Sequence, residues 1–216
     1  MLYVLWPLAA YAAGSTPFGV IIAAARGIDL RAHGSGNVGA TNVARVLGRR
    51  WGILCFALDV AKGLLPVLAA GVLLRRGGLA TAEQFAWLAV ALGAILGHIF
   101  SFWLRFRGGK GVATSLGVLL GFWPYFTLPG LAAFALWIVV TGLSGYVSLG
   151  SIAAAAAFPV FFVASCLLAA RPLAEVLPLL VFAVAMAGLV ILRHRTNIGR
   201  LLRGQENRIG RKKGRG

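Results

Sequence analysis

Three polar segments interrupt an otherwise apolar chain, and each carries residues suited to handling phosphate. The first runs Gly34-Ser35-Gly36-Asn37-Val38-Gly39-Ala40-Thr41-Asn42-Val43-Ala44-Arg45, with three glycines, two hydroxyls, two amides and a final cation. Glycine lets a backbone approach an anion closely and aim N–H groups at it. Ser35, Asn37, Thr41, Asn42 and Arg45 are therefore candidate anion contacts. A merely flexible polar loop would not need to combine small donors with a distal arginine.

The second segment is Gly97-His98 followed by Phe106-Arg107-Gly108-Gly109-Lys110-Gly111-Val112-Ala113-Thr114. A Walker A loop needs Gly at 104 and Ser or Thr at 111, where this chain has Leu104 and Gly111. The underlying physics still holds. A turn with Gly108, Gly109 and Gly111 opens a helix whose N-terminus favours an anion, and Lys110 adds a point charge near Thr114. Arg105 and Arg107 read more simply as membrane-edge anchors of the snorkelling kind. His98, about two turns before that edge, is either a structural hydrogen-bonding histidine or a wall of the site.

The third segment is His194-Arg195-Thr196-Asn197-Ile198-Gly199-Arg200-Leu201-Leu202-Arg203-Gly204-Gln205-Glu206. On a helix leaving the last apolar run, His194 and Asn197 share one face, with Arg200 close behind. Arg195 adds a cation. The basic residues after Glu206 read as an anionic-lipid anchor. Asp59 and Lys62, at i and i+3 inside an apolar run, cost roughly 2.5–3.5 kcal/mol each at a membrane centre on insertion scales and so should pair near the cytoplasmic end. The pair is either structural or part of the site.

The elements that must position these segments are set by composition. Of 216 residues, 60% are apolar and 12% charged, with mean hydropathy +0.88. A soluble globule of this size cannot hide so much apolar surface, and disordered and fibrous chains are excluded as well. The 21 Lys and Arg against 5 Asp and Glu imply anionic partners. No recognised nucleic-acid module accompanies the charge, so nucleic acid is not an expected partner. Cys55 and Cys166 lack any metal or disulfide pattern and read as buried small hydrophobes.

Apolar runs cover Leu2–Ala25, Trp51–Leu74, Glu83–Leu104, Val112–Ala170 and Val176–Leu192. The fourth has 59 residues without a charge, about 88 Å of helix and too long for one span. Breakers fall at Pro124, Pro129 and Ser144–Gly145. Arg26–Arg50 carries five Lys/Arg, Arg105–Gly111 three and the tail from Arg193 nine, against two in Arg75–Thr81 and one in Arg171–Glu175. The positive-inside rule puts the three basic stretches in the cytoplasm. An odd number of crossings must then separate Arg105–Gly111 from Arg171–Glu175, and three short spans follow. The expected architecture is all-α and integral to the membrane. It has seven transmembrane helices, some short, an external N-terminus and a cytoplasmic C-terminus. The polar motif loops converge on the cytoplasmic face. Residues 1–216 form one membrane-embedded domain, with 207–216 a basic tail.

Together these motifs resemble the bacterial acyl-phosphate:glycerol-3-phosphate acyltransferases. The first segment follows that family's S-G-N-x-G-A-T-N-x-x-R, the second its G-H-x-F and F-[K/R]-G-G-K-G-V-A-T, and the third its H-R-x-N-I-x-R-L-x-x-G-x-E. Asp59 and Lys62-Gly63 follow D-x-x-K-G. The departures are Ser101 for a usual Pro, Arg208 for a usual Lys, and an atypical Asn207. The resemblance implies acyl transfer from acyl phosphate to the sn-1 hydroxyl of glycerol 3-phosphate, giving lysophosphatidic acid and phosphate, the first acylation of phospholipid synthesis. It implies a bacterial plasma (inner) membrane location, no metal or organic cofactor, and a soluble phosphate acyltransferase as supplier of the acyl phosphate. The H-x-x-x-x-D of acyl-CoA-dependent enzymes is absent after His33, His98 and His194. Under this reading Lys110 with its glycines holds the glycerol phosphate, and Arg45 with Ser35 serves the acyl phosphate. Ser35, Asn42 and Asn197 are the neutral donors on offer for the developing oxyanion, with Arg45 and Arg195 as cations. The proton goes either to His194, oriented by Asn197, or to the donor's own phosphate. Asp59, Lys62, His98 and Glu206 support the site. The alternative is a transporter of an organic phosphate, which would place its site near the midplane.

Overall fold

The structure is a computed structural model and describes residues 2–74 and 80–209. Residues 75–79, within the weakly basic Arg75–Thr81 stretch, and tail residues 210–216, with Arg211, Lys212, Lys213 and Arg215, lie outside the described residues. The described residues are helical and contain no strand. Among the described residues, six helical stretches are long and apolar enough to cross a membrane: Val4–Ala24, Arg49–Leu74, Thr81–Leu104, Thr127–Ser144, Val147–Leu168 and Leu173–Arg193. Val112–Gly121 is a shorter apolar helix. The long uncharged run thus divides into three helices, as its length and breakers require. The actual breaks fall at residues 122–126 and 145–146, while Pro129 sits in the first turn of its helix.

The chain forms two compact units, Met1–Thr127 and Leu128–Gly216. In the first, α1 (Leu2–Ser15) and α2 (Phe18–Ala24) are one apolar run broken at Thr16–Pro17, where proline removes a donor. The expected first span missed this break. Next come α3 (Ala40–Leu47), α4 (Arg49–Leu74), α5 (Thr81–Ile99), a 3-10 turn at Phe102–Leu104 and α6 (Val112–Gly121). Helix α1 packs on α5 and α6 on α4. Small residues permit both contacts: a Cβ at Gly14 or Gly97 would meet backbone of the facing helix, as would one at Gly63 or Gly117. Trp87 of α5 is fully buried, donates from Nε1 to the Val67 carbonyl at 2.7 Å and stacks on Phe122 at 4.2 Å.

In the second unit, α7 (Thr127–Ser144, whose first residue closes the first unit), α8 (Val147–Leu168), a 3-10 turn at Leu173–Val176, α9 (Leu177–Arg193) and α10 (Arg195–Leu202) follow in order. Helices α8 and α9 pack together, and α10 packs on both. The last apolar helix stops at Arg193, so His194 sits at a junction between α9 and α10 rather than on one continuous helix.

Candidate active site

In the first polar segment, residues 34–39 lie outside any helix and α3 begins at Ala40, so only its first half is a loop. Gly34 and Gly36 hold φ of +65° and +69°, a left-handed backbone that favours glycine. The anchor is Asn42, 1% exposed. Its Nδ2 donates to the carbonyls of Leu30 (3.2 Å) and His33 (3.0 Å). Its Oδ1 accepts from the Ser35 N–H at 2.8 Å and from Arg45 Nη1 at 3.3 Å. An asparagine amide has two donors, and both are used. Asn42 therefore organises the segment, tying its turn residues to α3. Asn37 accepts from the Gly39 N–H at 2.9 Å, setting the turn into α3. Beneath the segment, Ile22, Ala23, Leu30, Val43 and Cys55 close an apolar cluster. Above it, Ser35, Thr41 and Arg45 are exposed.

The second segment meets the first through Arg31, whose Nη2 donates to the Arg107 carbonyl at 3.2 Å. Arg31 was not among the expected site residues. Its only signal in the sequence is a cation three residues before Gly34. Arg105 and Phe106 hold φ of 51° and 61°, a sparsely populated conformation for residues with side chains. The turn that follows is tied to the end of α5. The Gly108 N–H donates to the Ile99 carbonyl at 3.0 Å, and the Gly109 N–H to the His98 carbonyl at 3.1 Å. A Cβ on Gly108 would meet the His98 carbonyl oxygen, and one on Gly109 would meet His98 Nε2. Gly108 and Gly109 thus donate their N–H groups to the end of α5, and their lack of a side chain lets α5 lie against them. Gly111, at φ +82°, caps α6, and Lys110 precedes it, half-buried.

Behind this turn lies a buried polar cluster. Asp59 and Lys62 form an ion pair at 2.7 Å, 2% and 7% exposed. Lys62 Nζ also donates to the Thr16 carbonyl at 2.8 Å, at the α1–α2 break. His98 Nδ1 lies 3.1 Å from Thr114 Oγ1 and 3.7 Å from Asp59 Oδ1. Three helices, α4, α5 and α6, and the α1–α2 break therefore share one buried network, and Asp59, Lys62, His98 and Thr114 are its members rather than surface contacts. Thr114, expected among the phosphate contacts, is fully buried and meets His98 in this network. Ser101 keeps the bend before Arg107. Its φ is −59°, the value a proline would hold, and its Oγ donates to the Ser15 carbonyl at 2.6 Å.

In the second unit, His194 is 2% exposed. Its Nδ1 lies 2.8 Å from the Val190 carbonyl. A carbonyl only accepts, so Nδ1 carries hydrogen and Nε2 is the basic nitrogen of the neutral ring. Asn197 Nδ2 donates to Glu206 Oε1 at 2.7 Å, Arg200 Nε to Oε2 at 2.8 Å, and Ser148 Oγ to Oε1 at 3.2 Å. Burial alone would raise the Glu206 carboxyl. The hydrogen bonds from Arg200 and Asn197, the Arg200 charge and the Ser148 hydroxyl outweigh it and hold the group below the usual carboxylate range. Arg195 is exposed. Arg208 lies over the Tyr146 ring at 5.0 Å and the Ile209 N–H donates to the Gly145 carbonyl at 2.9 Å, tying the chain after Glu206 to the α7–α8 turn.

The family profile described as Glycerol-3-phosphate acyltransferase matches residues 4–204. The chain belongs to the glycerol-3-phosphate acyltransferase family. Among its relatives, the glycerol-3-phosphate acyltransferase of Geobacter sulfurreducens is 49% identical over 93% of this chain and 94% of its own, and that of Trichlorobacter lovleyi is 46% identical over 94% and 96%. Two crystal structures of PlsY (YgiH), an integral membrane glycerol 3-phosphate acyltransferase, share this fold. The glycerol 3-phosphate form aligns with TM-score 0.83 and 39% identity over 96% of both chains. The lysophosphatidic acid form aligns with TM-score 0.81 and 38% identity over 96% of this chain and 95% of that one.

Proposed function

We propose that the protein transfers an acyl chain from a membrane-partitioned acyl phosphate to the sn-1 hydroxyl of glycerol 3-phosphate, releasing lysophosphatidic acid and inorganic phosphate. The observation that carries this reading is the alignment, over nearly the whole chain, with structures named for a glycerol 3-phosphate form and a lysophosphatidic acid form. In the reaction the sn-1 oxygen bonds to the acyl carbon and the bond from that carbon to the phosphate oxygen breaks. The electron pair leaves with phosphate. An acyl phosphate is already activated, so no protein nucleophile is required.

The exposed Arg45, Ser35 and Thr41, beside Asn37, face the acyl phosphate in this scheme, and Lys110 at the start of α6 holds the glycerol phosphate. Arg195 adds positive charge for the two phosphate compounds. Arg200 and Asn197 act through Glu206, keeping the stretch around His194 in shape. His194 Nε2 is suited to receive the hydroxyl proton because Nδ1–H is committed to a carbonyl. The leaving phosphate is the other available acceptor, and a pH–rate profile of wild type and His194→Gln separates the two. The site works at the cytoplasmic face of a bacterial inner membrane, with the N-terminus outside, and a soluble phosphate acyltransferase supplies the donor.

Donor choice tests the reading. Purified protein given labelled glycerol 3-phosphate should form lysophosphatidic acid with long-chain acyl phosphate and not with acyl-CoA. Efficient turnover of acyl-CoA by the pure protein would overturn the assigned donor.

A further inference from the structure

Outside the three motifs, one recess gathers unpaired positive charge at the edge of the lipid-facing surface. It has a volume of about 460 Å3, within the usual range for ligand pockets, and is lined by Arg26, Leu47, Gly48, Arg49, Arg50 and Trp51. Three of the six lining residues are arginines and none is acidic. Arg26, Arg49 and Arg50 are exposed, and none has a carboxylate partner among the described residues. The Arg26 guanidinium lies over the Trp51 ring at 3.8 Å, so the recess has one ordered cationic wall on an aromatic floor. Gly48, with φ +99° and no atom within 4 Å of a built Cβ, leaves the entrance open.

The apolar surroundings identify the level at which this recess sits. Arg49 and Arg50 open α4, which is long and apolar enough to span a membrane. Within the next turn Ile53 and Leu54 are 57% and 41% exposed, and on α2, five residues before Arg26, Ile21 is 49% exposed. Bare aliphatic side chains directly below three arginines and a tryptophan mark the boundary between headgroups and acyl chains. A soluble phosphate compound would use the arginines and leave these apolar flanks unoccupied. A phospholipid uses both.

We propose that this recess binds the phosphate of an anionic membrane phospholipid. Arg26, Arg49 and Arg50 surround the headgroup, Trp51 lies at the glycerol level, and the acyl chains run along Ile21, Ile53 and Leu54. None of these residues belongs to the machinery assigned above, and the inference stands whether or not the assigned reaction is right.

The test is thermal unfolding of the detergent-solubilised full chain titrated with short-chain phosphatidylglycerol, short-chain phosphatidylcholine, inorganic phosphate and glycerol 3-phosphate. Wild type should be stabilised by phosphatidylglycerol well beyond phosphatidylcholine. Neutralising one arginine, as in Arg50→Gln, should weaken the apparent Kd about fivefold, and neutralising all three roughly 150-fold, from about one kcal/mol per cation near a charged surface. The single variant keeps the test valid if the triple variant folds poorly. Equal stabilisation by phosphatidylcholine, or an unchanged Kd in Arg50→Gln and the triple variant, would overturn the proposal. If inorganic phosphate or glycerol 3-phosphate reproduces the full arginine-dependent effect, the ligand is a soluble phosphate and the lipid assignment fails.

Discussion

Gly109→Ala separates two physical reasons for a glycine in the second segment. If the glycine exists so that an anion can approach the backbone, its methyl group obstructs substrate. The structure gives another reason: a Cβ there runs into His98 Nε2, while the Gly109 N–H is already donated to the His98 carbonyl at 3.1 Å. To accept the methyl, the imidazole must leave Thr114 Oγ1, 3.1 Å from its Nδ1, or the turn must pull away from α5. Overpacking costs about 1–3 kcal/mol and a lost hydrogen bond about 0.5–1.5 kcal/mol, so roughly 2–4 kcal/mol together. For a chain of this length that is a fall in Tm of about 5–15 °C. The turn carries Lys110, so KM for glycerol 3-phosphate should rise more than kcat falls. His98→Ala removes the obstacle, so the double variant should be more stable than the two single losses predict by about 1 kcal/mol or more. Thermal unfolding and steady-state kinetics of the four proteins measure this. Additivity within about 0.5 kcal/mol would refute the packing explanation and return Gly109 to the anion.

Three further outcomes follow from the same geometry. Lys62→Met leaves Asp59 buried and without its cation, which should cost about 3–5 kcal/mol of stability, while adding Asp59→Asn should recover much of it; unfolding of both variants decides. Ser101→Pro suits the observed φ of −59° and loses the bond to Ser15, so Tm should fall by the equivalent of about 1 kcal/mol with activity retained; an inactive protein contradicts this. Glu206 has a depressed carboxyl, so it contributes stability that is present above the ordinary carboxylate pKa of about 4.3 and is lost as pH falls through its lower folded value. Wild type should lose this contribution on acidification and Glu206→Gln should lack it, and equal acid dependence of the two unfolding curves would count against the Arg200–Glu206 arrangement.

The membrane architecture and the chemistry-bearing segments could be read from residue order because they depend on local composition. An uncharged run of 59 residues has to be broken, and its prolines and the Ser144–Gly145 pair mark approximate places. What could not be read depends on partners far away in the chain. Lys62 finds a carbonyl 46 residues earlier because Pro17 breaks the first helix there. Gly108 and Gly109 face the end of α5, a contact that a local glycine-rich pattern cannot distinguish from a phosphate cradle. The two N–H donations of Asn42 go to the carbonyls of Leu30 and His33, twelve and nine residues earlier, a bracing that its local pattern does not announce. Arg31 lacked any distinguishing neighbour in sequence, and its role emerges only where its guanidinium meets the Arg107 carbonyl.

Acyl transfer from acyl phosphate to glycerol 3-phosphate is tested most directly by following the oxygen that bridges the acyl and phosphoryl groups. Purified protein would be given acyl phosphate with that oxygen isotopically labelled, together with glycerol 3-phosphate, and the products weighed by mass spectrometry. Attack by the sn-1 hydroxyl at the acyl carbon predicts that all of the label leaves in inorganic phosphate and that the lysophosphatidic acid is unlabelled. Label retained in free fatty acid, with a second phosphate on the glycerol, would mean phosphoryl transfer, and an intact donor would mean no chemistry; either result would contradict the account.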